Sequence, residues 1–216
     1  MATNYNSGNG LKAGTEANYD AVGTWLHTDL VVDQQTRKQD KRCPTLAVAF
    51  GVILDRLQIL YGPRDEAFTV LGIEFRTGGS RISYTENRRQ IVIQLGLECA
   101  AYPQLAYFQL ARESVYLLSP SGCSATNMLE AGLSTHFAQE YRPRQLQLIR
   151  SLPPTRFGKA KDLADQLLAI DESAVRQIRL RQPMLSQVTE EDIHQTCPHV
   201  PPELARALSV KFDRLR

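Results

Sequence analysis

The spacing of apolar and polar positions changes character twice along the chain. Residues 1–20 are rich in Asn, Gly, Ser and Thr, with little aliphatic surface beyond Leu11, too little to offset the entropy of ordering, so a flexible N-terminal tail is expected. From Ala21 to Val32 the apolar positions Trp25, Leu26, Leu30 and Val31 recur at helical spacing, and the polar, basic run Asp33 to Arg42 follows. After Pro44 a second helical pattern carries Leu46, Val48, Phe50, Val52, Ile53, Leu57 and Leu60 until Gly62-Pro63 stops it. The period then shortens. Phe68 to Phe75, Arg81 to Tyr84 and Gln90 to Leu95 read as strands, with Gly78-Gly79 as a hairpin turn, which predicts a small antiparallel sheet. Helical spacing returns from Pro103, a favoured first helical position, to just before Ser119-Pro120, and again over 127–141. Beyond that no strand pattern is seen; residues 145–151, 160–169, 173–181, 190–196 and 203–215 read as helices.

The helix from Pro103 is unusual. On a wheel of about 100° per residue its apolar side chains cover most of the circumference, the mark of a buried helix. What is left is a polar wedge of Gln109, Arg112, Glu113 and Tyr116, with Arg112 and Tyr116 one turn apart. An unpartnered buried charge costs several kcal/mol, so this wedge is either paired internally or opens onto a cleft.

Composition narrows the class. The chain has 216 residues, 43% hydrophobic and 22% charged, with a net charge of +2, as expected of a soluble globular domain. No run of about 18 apolar residues and no signal-peptide pattern occurs, so neither membrane spanning nor classical secretion is expected. The four cysteines (43, 99, 123 and 197) lie at least 24 positions apart without a CxxC pair, which fits reduced thiols and a cytoplasmic location. No Walker loop, GxGxxG or GxSxG is present, and Thr77 to Ser80 is too short to cradle phosphate.

Two stretches carry a resemblance. Leu110-Ala-Arg-Glu-Ser-Val-Tyr-Leu-Leu118, soon after a strand, and Leu129-Glu-Ala-Gly-Leu-Ser-Thr-His-Phe-Ala138 resemble the gluzincin-type, zincin-like metallopeptidases over roughly residues 68–141. There the motif helix reads L-A-H-E-x-V-H-x-L, and a later helix of the form E-E-G-x-A supplies a third zinc ligand. In that motif two histidines at i and i+4 bind zinc through imidazole nitrogen and the Glu between them polarises the metal-bound water. The resemblance implies an α+β domain over 21–141, a small mainly antiparallel sheet packed on the motif helix, with a helical C-terminal extension over 142–216. It implies a general-base position at Glu113 and a third-ligand position at Glu130. The histidine positions are degenerate: they hold Arg112 and Tyr116. Arginine has no lone pair for a metal, and a phenol is a poor zinc ligand at neutral pH. No catalytic zinc or other cofactor is expected here, and a guanidinium can neutralise the same two carboxylates.

Structural explanations stand beside these. Glu130 three residues after Asn127 also suits an N-terminal capping box, and Gly132 in mid-helix suits close packing against another element. His136 is expected as a partly exposed histidine, or as a further cleft-lining residue with Gln109 and Glu130. His194, Cys197 and His199 form a cluster without a fourth ligand nearby, read as accidental. The first expectation for function is an inactive metallopeptidase homologue that binds another protein. The second is a hydrolase or peptidase-like enzyme using Glu113 and Glu130 as acid and base, Arg112 as anion stabiliser and Tyr116 as acid, in an open pocket. Six basic residues with no acidic one lie between Arg142 and Lys161, and Arg142, Arg144, Arg150, Lys159 and Lys161 are the candidates there for an anion or partner. With Arg176, Arg179 and Arg181 they allow a third reading, a nucleic-acid-binding accessory, against the simpler one of a solvated face. No aromatic RNP pattern or zinc-finger spacing supports nucleic acid, and no oligomeric state is predicted.

Overall fold

A computed structural model describes residues 45–122, 125–141 and 155–213. The expected tail over 1–20, the helix over 21–32 and the helix over 145–151 lie outside the described residues. The fold is α+β. It begins with α1 (Leu46–Tyr61), continues through β1 (Thr69–Arg76), β2 (Arg81–Tyr84) and β3 (Gln90–Gly96), and enters α2 (Pro103–Val115). Next come β4 (Thr126–Asn127), α3 (Met128–Ala138), α4 (Arg156–Ile170), α5 (Ala174–Arg181), α6 (Glu190–Thr196), α7 (Pro202–Ser209) and β5 (Lys211–Phe212). Thr45 caps α1 by accepting the Val48 N–H, and Gly62 ends it with φ 91°, a conformation that suits glycine.

The sheet corrects the antiparallel expectation. Its order is β1-β3-β2; β1 runs parallel to β3, and only β2 is antiparallel to it. The Gly78-Gly79 turn is therefore no hairpin. It carries the chain past the end of β3, which then fills the gap between β1 and β2. Strands two places apart are about 9.6 Å from each other, well within the reach of the four residues 77–80. The true hairpin joins β2 to β3, where the Asn87 side chain accepts the N–H groups of Arg89 and Gln90. A shift of register between Val70 and Gly72 leaves Leu71 as an extra residue in β1. It moves the inward set from even to odd positions, so that Val70 pairs with Ile91 while Ile73 and Phe75 pair with Ile93 and Leu95.

Ile91, Ile93 and Leu95 are fully buried and join one hydrophobic cluster with Ile53 and Leu57 of α1, Leu110 and Val115 of α2, and Leu129, Leu133 and Phe137 of α3. The same cluster continues through Leu167, Val175, Ile178, Ile193 and Leu208, so the described part of the C-terminal helices shares the core of the sheet domain. The end of the chain differs from expectation. The helix predicted over 203–215 stops at Ser209, and β5 pairs with β4 just before α3, a strand too short to show a period of two.

Gly132 permits the closest helix contact. A methyl group there would overlap the carbonyl oxygen of Ala160 and stand 3.0 Å from Cβ of Ala164, so α3 and α4 touch backbone to backbone. Gly132→Ala would gain about 1 kcal/mol of helix propensity, but the overpacking costs about 1–3 kcal/mol and outweighs it. Thermal unfolding is expected to show a lower midpoint for the variant; an unchanged or raised midpoint would contradict this packing.

Candidate functional site

The polar wedge of α2 is assembled from the sheet upward. Gly96 ends β3, and its N–H donates to Gln109 Oε1 at 2.8 Å, while Gln109 Nε2 donates to Glu98 Oε1 at 3.0 Å. Gln109, expected to line a cleft, fastens α2 to the end of the strand that precedes it. One turn on, Glu113 is fully buried, and its Oε1 accepts from Ser80 Oγ at 2.8 Å and from Nε and Nη2 of Arg112 at 3.2 Å each. Arg112 Nη2 also donates to Ser80 Oγ at 2.7 Å. Ser80 reaches this place because the turn at 77–80 crosses the end of β3 toward α2. The guanidinium of Arg112, 23% exposed as a side chain, lies 5.3 Å from the ring centre of Phe157 on α4. Phe157 in turn packs on Phe212 of β5 at 4.8 Å, and Arg156 covers the Phe212 ring at 5.2 Å.

Tyr116, one turn after Arg112, meets α3. Tyr116 OH lies 3.1 Å from Ser134 Oγ, a hydrogen bond between two hydroxyls, and Ser134 Oγ lies 2.8 Å from the Ala131 carbonyl oxygen. Glu130, one turn before Ser134, is buried. Its Oε2 accepts from Thr126 Oγ1 at 2.6 Å and its backbone N–H donates to Asn127 Oδ1 at 2.9 Å, which is the Asn127 half of the capping box expected from the sequence. His136 faces α4 instead: its Nδ1 lies 2.6 Å from Asp165 Oδ1, and Lys161 Nζ lies 2.5 Å from Oδ2 of the same residue. Burial pushes the Asp165 carboxyl up, but hydrogen bonds from Lys161 and His136 outweigh this and hold it below the ordinary aspartate value.

The remaining candidates are dispersed. Arg142, Arg144 and Arg150 lie outside the described residues. Lys159 is exposed, whereas Lys161 is tied to Asp165, Arg181 lies 3.4 Å from Asp192, and Arg179 is buried. Cys197 is buried while His199 is exposed, and among the described residues no three His, Cys, Asp or Glu side chains group as a metal site. Burial, with the nearby Glu98 charge, pushes the Cys99 thiol up to about 12, and burial also raises Cys197, so both are protonated and unreactive at neutral pH. Among the described residues no helix is long and apolar enough to cross a membrane.

Sequence reasoning missed Ser80, Phe157, Thr126 and Ser134. Ser80 and Phe157 belong to elements distant in sequence from α2, whereas Thr126 and Ser134, four residues before and after Glu130, carried a local signal. Chemically, the wedge is closed by one ion pair within α2, by hydroxyl bridges to the crossing turn and α3, and by the Phe157 ring of α4 against the guanidinium. No protein-family model matches the chain, and no curated protein or solved structure is significantly similar to it.

Proposed function

We propose that the chain is a degenerate zincin-like domain in which a guanidinium takes the place of the metal, and that it serves as a protein-binding or regulatory module in place of peptide hydrolysis. The observation that carries this reading is the trio of Arg112, Glu113 and Ser80, in which the carboxylate at the general-base position is buried and bonded to an arginine at the first histidine position. The order of strand β3, motif helix α2 and second helix α3 supports the same frame, as does the contact of Tyr116 with Ser134, four residues after Glu130 on α3.

The donor set does not fit a zinc ion. Arg112 offers no lone pair, the Tyr116 phenol is a poor zinc ligand and is hydrogen-bonded to Ser134, and the Glu130 carboxylate accepts from Thr126. No step through a metal is therefore derived. The enzyme alternative required Glu113, Glu130 and Tyr116 to point into an open pocket; all three are buried and hydrogen-bonded, which gives it no support. The nucleic-acid reading loses Lys161, Arg179 and Arg181 to internal partners.

Metal analysis tests the frame in two directions. Purified wild-type protein is expected to carry no stoichiometric zinc; zinc that is lost in Glu113→Ala/Glu130→Ala, together with metal-dependent peptidase activity, would sink the proposal. Arg112→His/Tyr116→His restores imidazoles at i and i+4 beside Glu130 and is expected to take up stoichiometric zinc. A folded double variant that binds none would argue against the zincin frame itself.

A further inference from the structure

The outer face of α1 is apolar where a surface helix is ordinarily polar. Val48, Val52 and Ile59 are 57%, 61% and 65% exposed. Their spacing of four and eleven residues places them within about 40° of one another on the helix. They form a stripe opposite Ile53, Leu57 and Tyr61, which are buried against the core. Asp55 and Arg56 bring the only charges to the exposed side; Asp55 stands in the line of the stripe between Val52 and Ile59, and Arg56 lies beside it.

We infer that this stripe is the docking site for the chain's own apolar segment over residues 21–32, through Val22, Trp25, Leu26 and Leu30. Three observations select this occupant. First, the segment precedes α1 directly, and the twelve residues 33–44 that join them are polar and basic, as a solvated connection should be. Twelve residues extend to about 40 Å, more than the roughly 24 Å length of α1, so the segment can return along the whole helix. Second, the periods match: Val22, Leu26 and Leu30 recur every four residues, as Val48 and Val52 do, and span about 12 Å against about 16 Å for the stripe. Third, the stripe is too small for an intermolecular partner. Three aliphatic side chains offer a small part of the ~800 Å² per partner of a standard interface. A tethered segment needs far less, because a short linker holds it at an effective concentration in the millimolar range. This inference is independent of the proposal about the α2 wedge.

Trp25 is the only tryptophan in the chain and reports on the docking directly. In full-length protein its emission is expected at the blue wavelengths of a buried indole, with weak acrylamide quenching, and to be unchanged on dilution. Val52→Glu/Ile59→Glu, on the α1 surface, should move the emission to the position of free tryptophan and raise quenching, with the helical circular dichroism of the 45–213 body retained. Leu26→Glu should do the same from the segment side and leaves the folded body untouched, so misfolding of the α1 variant cannot mask the result. Emission that is already solvent-like in the wild type, or that neither substitution moves, overturns the inference. A blue emission that disappears on dilution would assign the stripe to a second copy of the chain and overturn it equally.

Discussion

Arg179→Ala is expected to be the most damaging single substitution away from the α2 wedge, lowering stability by about 3–5 kcal/mol, a large part of the 5–15 kcal/mol typical of a domain. The guanidinium sits in the core without a carboxylate partner. Nη1 donates to the carbonyls of Tyr61 and Gly62 at 2.7 and 3.0 Å, and Nη2 to those of Pro63 and Leu118 at 2.7 and 2.9 Å. All four Nη protons are used, and Nε alone has no partner. The acceptors lie where α1 ends and just beyond α2, where helix carbonyls lack intrahelical partners and the helix dipole is negative. Burial draws the arginine pKa down from its ordinary value, and the carbonyl cluster is what makes the charge tolerable there. Truncation takes their Arg179 donor from four carbonyls at the junction of α1, α2 and α5, of which Leu118 keeps the Asp65 N–H at 2.9 Å. Arg179→Lys should recover only part of the loss, since an ammonium has three donors and no planar fork. Urea unfolding of the three proteins measures this; a loss below about 1 kcal/mol for the alanine variant would mean that water replaces the clamp.

The sequence pattern revealed the elements far better than their neighbours. α1, the three strands, α2 and α6 fall close to where periodicity and capping residues put them, because those signals are local. Strand order is not local: the same β1, β2 and β3 would suit a meander, and only the crossing at 77–80 makes β1 and β3 parallel partners. The wedge on α2 was legible as a choice between internal pairing and an open cleft, and the structure takes the first. Its partners were not legible, since Ser80 arrives through the crossing turn and Phe157 through a helix more than forty residues away. Arg179 was read as part of a basic face. Its position four residues after Val175 and next to Ile178 puts it on the apolar side of α5, a signal that charge counting alone overlooks.

The Arg112 and Glu113 pair should answer to substitution asymmetrically. Glu113 is fully buried, while about a quarter of the Arg112 side chain reaches solvent. Removing the arginine takes the Arg112 cation away from a fully buried carboxylate, so Arg112→Met is expected to cost about 3 kcal/mol. Removing the charge of the glutamate leaves a guanidinium that can turn to water and to the Phe157 ring, so Glu113→Gln should cost about 1 kcal/mol. In Arg112→Met/Glu113→Gln the amide still accepts from Ser80 and no charge is stranded, so the double variant should be more stable than Arg112→Met alone. Chemical denaturation of the four proteins gives the cycle; equal costs for the single changes with simple additivity would show that the two side chains do not compensate each other. The same pairing predicts the response to chelators. A domain whose folding draws on bound metal loses stability in EDTA, whereas one closed by its own guanidinium keeps its unfolding midpoint. An unchanged midpoint in wild type, beside a chelator-sensitive one in Arg112→His/Tyr116→His, would support the proposal that a guanidinium takes the place of a metal at this turn of α2; a chelator-sensitive wild type would overturn it.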